Sequence, residues 1–180
     1  NLRLGELYSV VAAALATNFN GILGVSSFMR IKKTNAWITQ TKSDANVKGN
    51  EFYAKFIKDE SSAALCDDFV IWKAKFEASY YFSSAKDDLA QFYKAINFEP
   101  KMGEVDSISN QLILIANILK KEVTKESMQL LAAFSLSFFL PYAEQLAKEL
   151  EQNASSNFYK SMGYFLEDFC LVFKTIIGKA

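Results

Sequence analysis

Histidine is absent from the 180-residue chain, and it has only two cysteines, two prolines and seven glycines. Without histidine, the usual general base and imidazole metal ligand are missing, which excludes Ser-His and Cys-His dyads. Cys66 and Cys170 lie far apart, so they indicate neither a zinc site nor a disulfide scaffold. We expect two reduced thiols packed between helices. The scarcity of proline and glycine favours long helices over short strands joined by turns.

Neither positive nor negative charge is in excess, since 20 basic residues balance 20 acidic ones. A neutral chain lacks the basic surface that attracts nucleic acid, so we expect no nucleic-acid partner. The longest apolar stretch, Leu130 to Ala143, is interrupted by Pro141 and is shorter than the ~20 residues that a bilayer requires. No signal-peptide pattern is evident at residues 1–5. We expect a cytoplasmic monomer or dimer with no stable membrane insertion.

Apolar side chains are abundant: 51% of the residues are hydrophobic, including 16 Phe and 8 Tyr. They recur with helical spacing almost throughout, without strand-like alternation. The pattern predicts an all-α fold, a single domain over residues 1–180 built as one bundle of about seven to nine helices. The clearest stripe, expected to face the core of the last helix, is Phe158, Tyr159, Met162, Phe165, Leu166, Phe169 and Phe173.

Interruptions of the helical pattern are few. The polar stretch 39–50 is the best candidate for a mobile surface loop, and residues 97–106, with a proline and a glycine, form a hinge-like loop. Pro141 should kink or restart its helix. An apolar segment from Ile22 to Ile31 contains Leu23. Helix starts are indicated by N-cap residues, namely Ser61 or Ser62, Ser84, Asp106 or Ser107, Thr124, and Ser155 or Ser156.

No catalytic motif is present. The chain has no Walker loop, no G-x-G-x-x-G and no G-x-S-x-G. Its acidic pairs are adjacent on helices and point about 100° apart, so they do not converge on a metal. We therefore expect no enzyme activity, no cofactor and no metal site.

One aromatic stripe has two interpretations. Phe69, Trp72, Phe76 and Tyr80 fall at steps of three, four and four along one predicted helix. A core face is the more common use of such a stripe. Tyr80 and Tyr81, however, are neighbours that cannot both face one core, and each hydroxyl needs a partner. With Asp106 nearby, these rings would also suit a peptide groove.

Three stretches resemble the TorD/DmsD/NarJ family of redox-enzyme maturation chaperones. Residues 76–82 (FEASYYF), followed by Leu89 to Ile96, are similar to the family's aromatic S-x-Y segment and the helix after it. Residues 97–112 (NFEPKMGEVDSISNQL) are similar to its hinge-like loop and D-H-I-x-x-E-L helix start, with Ser107 in place of His and Gln111 in place of Glu. Residues 138–146 (FFLPYAEQL), followed by Asn157-Phe-Tyr159, resemble its H-x-x-x-W segment and the F-Y helix that follows, with the His missing and Tyr142 in place of Trp.

The resemblance implies a TorD-like helical chaperone without catalysis, which binds a molybdoenzyme catalytic subunit or its twin-arginine signal peptide before cofactor insertion and export. Formate dehydrogenase or a related reductase is the favoured client. We expect the guest to lie between the rings of residues 72–81 and the Asp106 loop. The peptide-binding candidates are Trp72, Phe76, Tyr80, Tyr81, Glu104, Asp106, Gln111 and Tyr142. A generic helical adaptor and a carrier of hydrophobic small molecules are the alternatives.

Overall fold

The structure, a computed structural model, describes residues 2–22, 24–121 and 123–178, and over these ranges the chain is all-helical. Leu23 of the predicted second apolar segment lies outside them. An isolated antiparallel bridge between Glu77 and Ser107 is the extent of β pairing in the described residues. The helices are α1 (Leu2–Phe19), α2 (Gly24–Lys32), α3 (Asp44–Asp59), α4 (Ser62–Trp72), α5 (Ala85–Ala95), α6 (Ile108–Leu119), α7 (Lys125–Phe134), α8 (Leu140–Asn153) and α9 (Asn157–Ile177).

Serine and threonine side chains begin most of these helices. Ser61, Ser107, Thr124 and Ser156 each accept a hydrogen bond from a backbone N–H in the first turn, and Thr124 with Ser127 completes a capping box. These are helix starts that the sequence predicts. α5 begins directly after Ser84, as predicted, although that side chain makes no capping hydrogen bond.

The last helix forms the centre of the core. α9 packs along α8 and α3 and also contacts α1, while α1 packs along α6. Every residue of the predicted α9 stripe is buried, because successive apolar residues three and four apart share one face of a helix. One cluster of buried side chains joins elements from α1 to α9.

The polar stretch 39–50 is not a loop throughout, contrary to the sequence prediction, because α3 already begins at Asp44. Ser43 caps the helix, and Asn46 is fully buried in a network of hydrogen bonds. Its side chain accepts from Thr41 N and donates to Thr39 Oγ1 and to Asp168 Oδ2 of α9. Polar residues here satisfy each other inside the fold, which composition alone does not reveal.

The aromatic stripe does not lie on one helix, although its spacing predicts one. The helix α4 ends at Trp72. Two short 3₁₀ turns follow, Lys73–Phe76 and Ala78–Tyr80. Between them Glu77 is extended and pairs with Ser107. The tertiary contact with the loop before α6 thus replaces the helical hydrogen bonds that local spacing favours.

Pro141 stands in the first turn of α8, where the α-helix restarts after α7, as the sequence predicts. A π-helical segment, Ser135–Phe139, joins α7 to α8, and the wider turn accommodates a residue that cannot donate a hydrogen bond. The resulting continuous helix, Lys125–Asn153, is long and apolar enough to cross a membrane by length and composition. Half of its most apolar window is buried within the protein, and core helices of soluble proteins meet the same criteria.

Candidate functional site

The segment after α4 lies against the loop that precedes α6. Ala78 N donates to the carbonyl oxygen of Asp106 at 3.1 Å, and Ser79 N donates to Asp106 Oδ2 at 2.7 Å. Asp106 therefore fixes the second 3₁₀ turn. The N-cap of α6, for which Asp106 and Ser107 were both candidates, is Ser107.

Asp106 is also the centre of a buried polar group with unused hydrogen-bonding capacity. Its side chain is fully buried, and Oδ1 has no hydrogen-bond partner. Gln111 Oε1 and Tyr93 Oη are likewise buried and unpartnered, while Gln111 Nε2 donates to the Asp106 carbonyl at 3.5 Å. Burial, together with the charge of Asp106, raises the pKa of Tyr93. Such unsatisfied oxygens are costly, and a hydrogen-bond donor brought to them would relieve that cost.

Asn110, which sequence reasoning missed, holds the loop beside Asp106 in place. Its Oδ1 accepts from the backbone N–H groups of Lys101 and Met102, and its Nδ2 donates to the carbonyls of Met102 and Glu104. The only sequence signal was a polar residue three positions after the cap, in a polar first turn that leads into a mostly apolar helix.

Three of the predicted aromatic binding residues are interior residues in this structure. Trp72, Phe76 and Tyr142 are at most 4% exposed. Phe76 packs on Phe19 and Tyr159, and Tyr142 donates to the carbonyl of Lys75 at 2.8 Å. A guest cannot contact Phe76, Tyr142 or the buried Gln111 without movement of the chain, whereas one face of the Trp72 ring is covered by the Lys75 ammonium group.

The accessible rings lie further along the segment. Tyr80 is 56% exposed and Phe82 is 41% exposed, whereas Tyr81 is half-buried against Tyr142. Sequence reasoning included Tyr80 and Tyr81 but missed Phe82. These rings form an exposed apolar edge next to the turn that Asp106 holds.

The surroundings of Asp106 are acidic. Glu104 is exposed and pairs with Lys86 at 2.6 Å. Glu77 has its pKa raised by burial and by the charges of Asp106 and Glu104, against the opposing effect of Lys86 and Lys73. The carboxylates of Asp106, Glu104 and Glu77 thus lie in one region. Among the described residues Lys86 is paired with Glu104 there, and Lys73 acts on Glu77 through its charge. The excess of negative charge favours a basic ligand.

A second charged group, formed by Lys75 and Glu149, lies along the same segment. Lys75 Nζ is 2.9 Å from Glu149 Oε2 and lies over the rings of Trp72 and Tyr80, 5.0 and 5.5 Å from their centroids. Tyr81 Oη donates to the same carboxylate oxygen at 2.7 Å. Sequence reasoning missed Lys75 and Glu149, because 74 positions separate them.

Two open clefts flank the loop that begins after α5. One, of about 420 Å³, is lined by residues that include Tyr93, Phe98 and Val105. The other, of about 320 Å³, includes Phe98, Met102 and Ile113. Phe98 belongs to both and packs against Tyr93 at 4.9 Å between ring centroids. The first cleft is therefore mainly apolar and includes Tyr93, whereas the second is also lined by Asn97, Asn110 and Asn117.

The cysteines do not form a site with other ligands. Cys170 is buried, as packing between helices predicts, and burial raises the pKa of its thiol. Cys66 is exposed, so its predicted place between helices is wrong: it lies on the outward face of α4. Within the described ranges, no three His, Cys, Asp or Glu side chains converge closely enough to hold a metal ion.

Comparison with known proteins identifies no relative. No protein-family model, curated protein or solved structure matches the chain.

Proposed function

We propose that this chain is a non-catalytic cytoplasmic chaperone with a TorD-like fold, which binds a basic segment of a molybdenum-containing oxidoreductase. The guest is a twin-arginine signal peptide or the apoenzyme before cofactor insertion and export, and formate dehydrogenase is the favoured client. The observation that supports this most directly is the buried Asp106 carboxylate, which has one oxygen without a partner and lies in an acidic region. The sequence resemblance in residues 76–82, 97–112 and 138–146 supplies the client class.

Charge explains why the guest would be basic. A buried carboxylate is costly to leave without a cation or a full set of hydrogen bonds. The free acceptors of Asp106, Gln111 and Tyr93 match an arginine, which offers five N–H donors in a planar fork. Because Asp106 is fully covered, binding requires the 77–82 segment or the loop before α6 to move aside.

Apolar contact supplies most of the affinity. Exposed ion pairs contribute only ~0.2–1 kcal/mol each, whereas burial of apolar surface contributes about 25 cal/mol per Å². Tyr80, Phe82 and the cleft lined by Tyr93, Phe98 and Val105 provide such surface. We therefore expect moderate salt to weaken binding only in part, and complete loss of binding in moderate salt would contradict an apolar groove.

A titration with synthetic leader peptides tests the proposal. The peptide with paired arginines should bind, and the same peptide with paired glutamines should bind much more weakly. Asp106→Asn keeps the acceptor for Ser79 N but removes the charge, so we expect affinity for the arginine peptide to fall about 10- to 100-fold. Isothermal titration calorimetry measures both.

Asp67→Asn is the matched control, because Asp67 is exposed on α4 and its replacement removes the same charge. Thermal unfolding of Asp106→Asn distinguishes lost binding from lost structure. Equal affinity of the two peptides, or equal effects of the two variants, would count against the proposed guest.

Affinity capture from the native cytoplasm tests the client. Recovery of a molybdoenzyme subunit with its leader uncleaved supports the proposal. A folded partner without a leader would favour the adaptor alternative instead, and a stoichiometric hydrophobic ligand in native mass spectrometry would favour the carrier.

A further inference from the structure

We infer that Trp72, Tyr80, Tyr81 and Glu149 form a second cation-binding site, which accepts a guanidinium or ammonium group of a guest and which Lys75 occupies in the free protein. The inference rests on the proposed function for the basic character of the guest. It assigns a different site from the one at Asp106, along the same 72–82 segment.

The geometry is that of a complete cation site. One ammonium group lies over the faces of two rings and beside a carboxylate oxygen 2.9 Å away. Tyr81 donates to that same oxygen and so holds the carboxylate in position. Aromatic faces and a carboxylate both attract a cation, and their effects add when the group is partly removed from water.

The site favours an ionised carboxylate. Burial opposes ionisation of Glu149, but hydrogen bonds from Tyr81 and Lys75 and the charge of Lys75 outweigh it and hold the pKa of Glu149 below its ordinary value. The negative charge is therefore retained at neutral pH and needs a cation beside it. If Lys75 leaves, the rings and the carboxylate are available to another cation.

Lys75 is suited to leave. Its side chain is 31% exposed and that of Glu149 is 28% exposed, so the ammonium group reaches water without movement of the backbone. Elsewhere Lys32 also lies over two rings, Phe28 and Phe56, but no described carboxylate lies within ion-pair distance of it. The combination of rings with an anchored carboxylate separates the Lys75 site from an ordinary lysine stem lying on an apolar surface.

Arginine is the better competitor for this site. Its planar guanidinium stacks on aromatic rings and binds a carboxylate through two N–H groups, whereas an ammonium acts as a compact, strongly hydrated charge. Lys75 would thus compete with the guest's cation for the site. An arginine of the guest would displace Lys75 more readily than a lysine would.

Trp72 makes the exchange measurable. The chain has two tryptophans, Trp37 and Trp72, so a Trp37→Phe background leaves Trp72 as the single tryptophan reporter. The probes are the acetylated tetrapeptide amides Gly-Arg-Arg-Gly, Gly-Lys-Lys-Gly and Gly-Gln-Gln-Gly. In this background we expect Lys75→Gln to bind the arginine probe about three- to tenfold tighter than the parent, with a change in Trp72 fluorescence.

Lys73→Gln is the matched control, because the exposed Lys73 carries the same charge two residues away but is not part of the ring–carboxylate site. It should change the affinity less than twofold. Adding Glu149→Gln to Lys75→Gln should abolish the gain in affinity for the arginine probe. The lysine probe should bind more weakly than the arginine probe, and the glutamine probe more weakly still. Equal gains from Lys75→Gln and Lys73→Gln, tight binding of the glutamine probe, or no binding by any variant would overturn the inference.

The tetrapeptides separate this site from the chaperone proposal. If Lys75→Gln binds the arginine tetrapeptide more tightly, but leader peptides with paired arginines bind no better than their glutamine versions, the cation site is supported and the proposed function is contradicted. If leader binding depends on Asp106 but not on Lys75 or Glu149, the proposed function is supported and the cation site is contradicted.

Discussion

At the residue scale, Glu151 is a carboxyl group held beside a second carboxyl. Oε1 of Glu151 is buried without a hydrogen-bond partner. Burial, followed by interaction with Glu167 of α9, raises its pKa from 4.5 to about 8, against the opposing charges of Lys48 and Lys148. Near neutral pH the folded protein therefore retains a proton that the unfolded chain has released.

This proton makes stability depend on pH. Between about pH 4.5 and pH 8 the folded state binds more protons than the unfolded state, so the free energy of unfolding falls as pH rises. Glu151→Gln removes the ionisable group. We expect its Tm to match that of the parent near pH 4.5 and to exceed it by about 2–5 °C at pH 8, in thermal scans followed by circular dichroism.

Glu51→Gln serves as the control, because Glu51 is exposed on α3. Its Tm difference from the parent should not change with pH. A Glu151→Gln difference that stays flat across the same range would show that the pair does not hold the proton.

At the element scale, the contact between α8 and α9 depends on a missing side chain. A Cβ at Gly163 of α9 would lie 2.7 Å from Leu150 Cβ, 2.9 Å from Glu151 N and 3.0 Å from the Ala147 carbonyl oxygen. Two of these atoms belong to the α8 backbone, so the helices would have to separate to admit it. Glycine is used here for close approach and not for a special backbone conformation.

Gly163→Ala should therefore destabilise the protein. Overpacking of this kind typically costs about 1–3 kcal/mol, which corresponds to a fall in Tm of about 3–10 °C for a chain of this size. Urea denaturation followed by circular dichroism measures the change.

Gly5→Ala is the matched comparison within a helix. A Cβ at Gly5 of α1 would meet only the Leu119 carbonyl oxygen, at an ordinary 3.5 Å. Alanine is the better helix former, so the free energy of unfolding should stay level or rise by about 0.5–1 kcal/mol. Similar losses for both variants would contradict the close contact at Gly163.

At the scale of the whole molecule, one core connects distant parts of the chain. Trp37, in the loop before α3, stacks on Phe165 of α9 at 4.4 Å between centroids. Trp72, at the end of α4, belongs to the same buried cluster. A single cluster of this kind predicts one cooperative unfolding transition.

The two tryptophans allow a test of this cooperativity. In Trp37→Phe the fluorescence reports on Trp72, and in Trp72→Phe it reports on Trp37. Within each variant we expect the fluorescence midpoint in urea to coincide with the midpoint from far-ultraviolet circular dichroism. Separate midpoints within either variant would indicate two units that unfold independently.

Sequence reasoning succeeded where a local pattern decides the outcome and failed where a distant partner does. The α9 stripe and the Ser107, Thr124 and Ser156 caps follow from spacing and side-chain chemistry within a few residues. The start of α3 has a local cap in Ser43, but its polar first turn is buried through a hydrogen bond from Asn46 to Asp168, 122 positions away. For the same reason a polar stretch was mistaken for a loop.

The candidate site shows the same division. Asp106 and Tyr80 can be selected from the sequence as candidate binding residues, since a carboxylate and neighbouring tyrosines both suit a ligand. The burial of Trp72 and Phe76 agrees with the core-face interpretation of the stripe. The end of α4 before Glu77, which pairs with Ser107, and the burial of Tyr142 depend on tertiary contacts instead.

By itself the sequence determined that this chain is helical, which face of α9 is apolar, and where Ser and Thr begin helices, because those properties depend on neighbours three or four positions away. The tertiary structure alone decided which polar groups are buried without partners at Asp106, and that Lys75 meets Glu149 between rings. Those contacts join residues far apart in the chain, and only the packing of α4, α6 and α8 brings them within hydrogen-bonding distance.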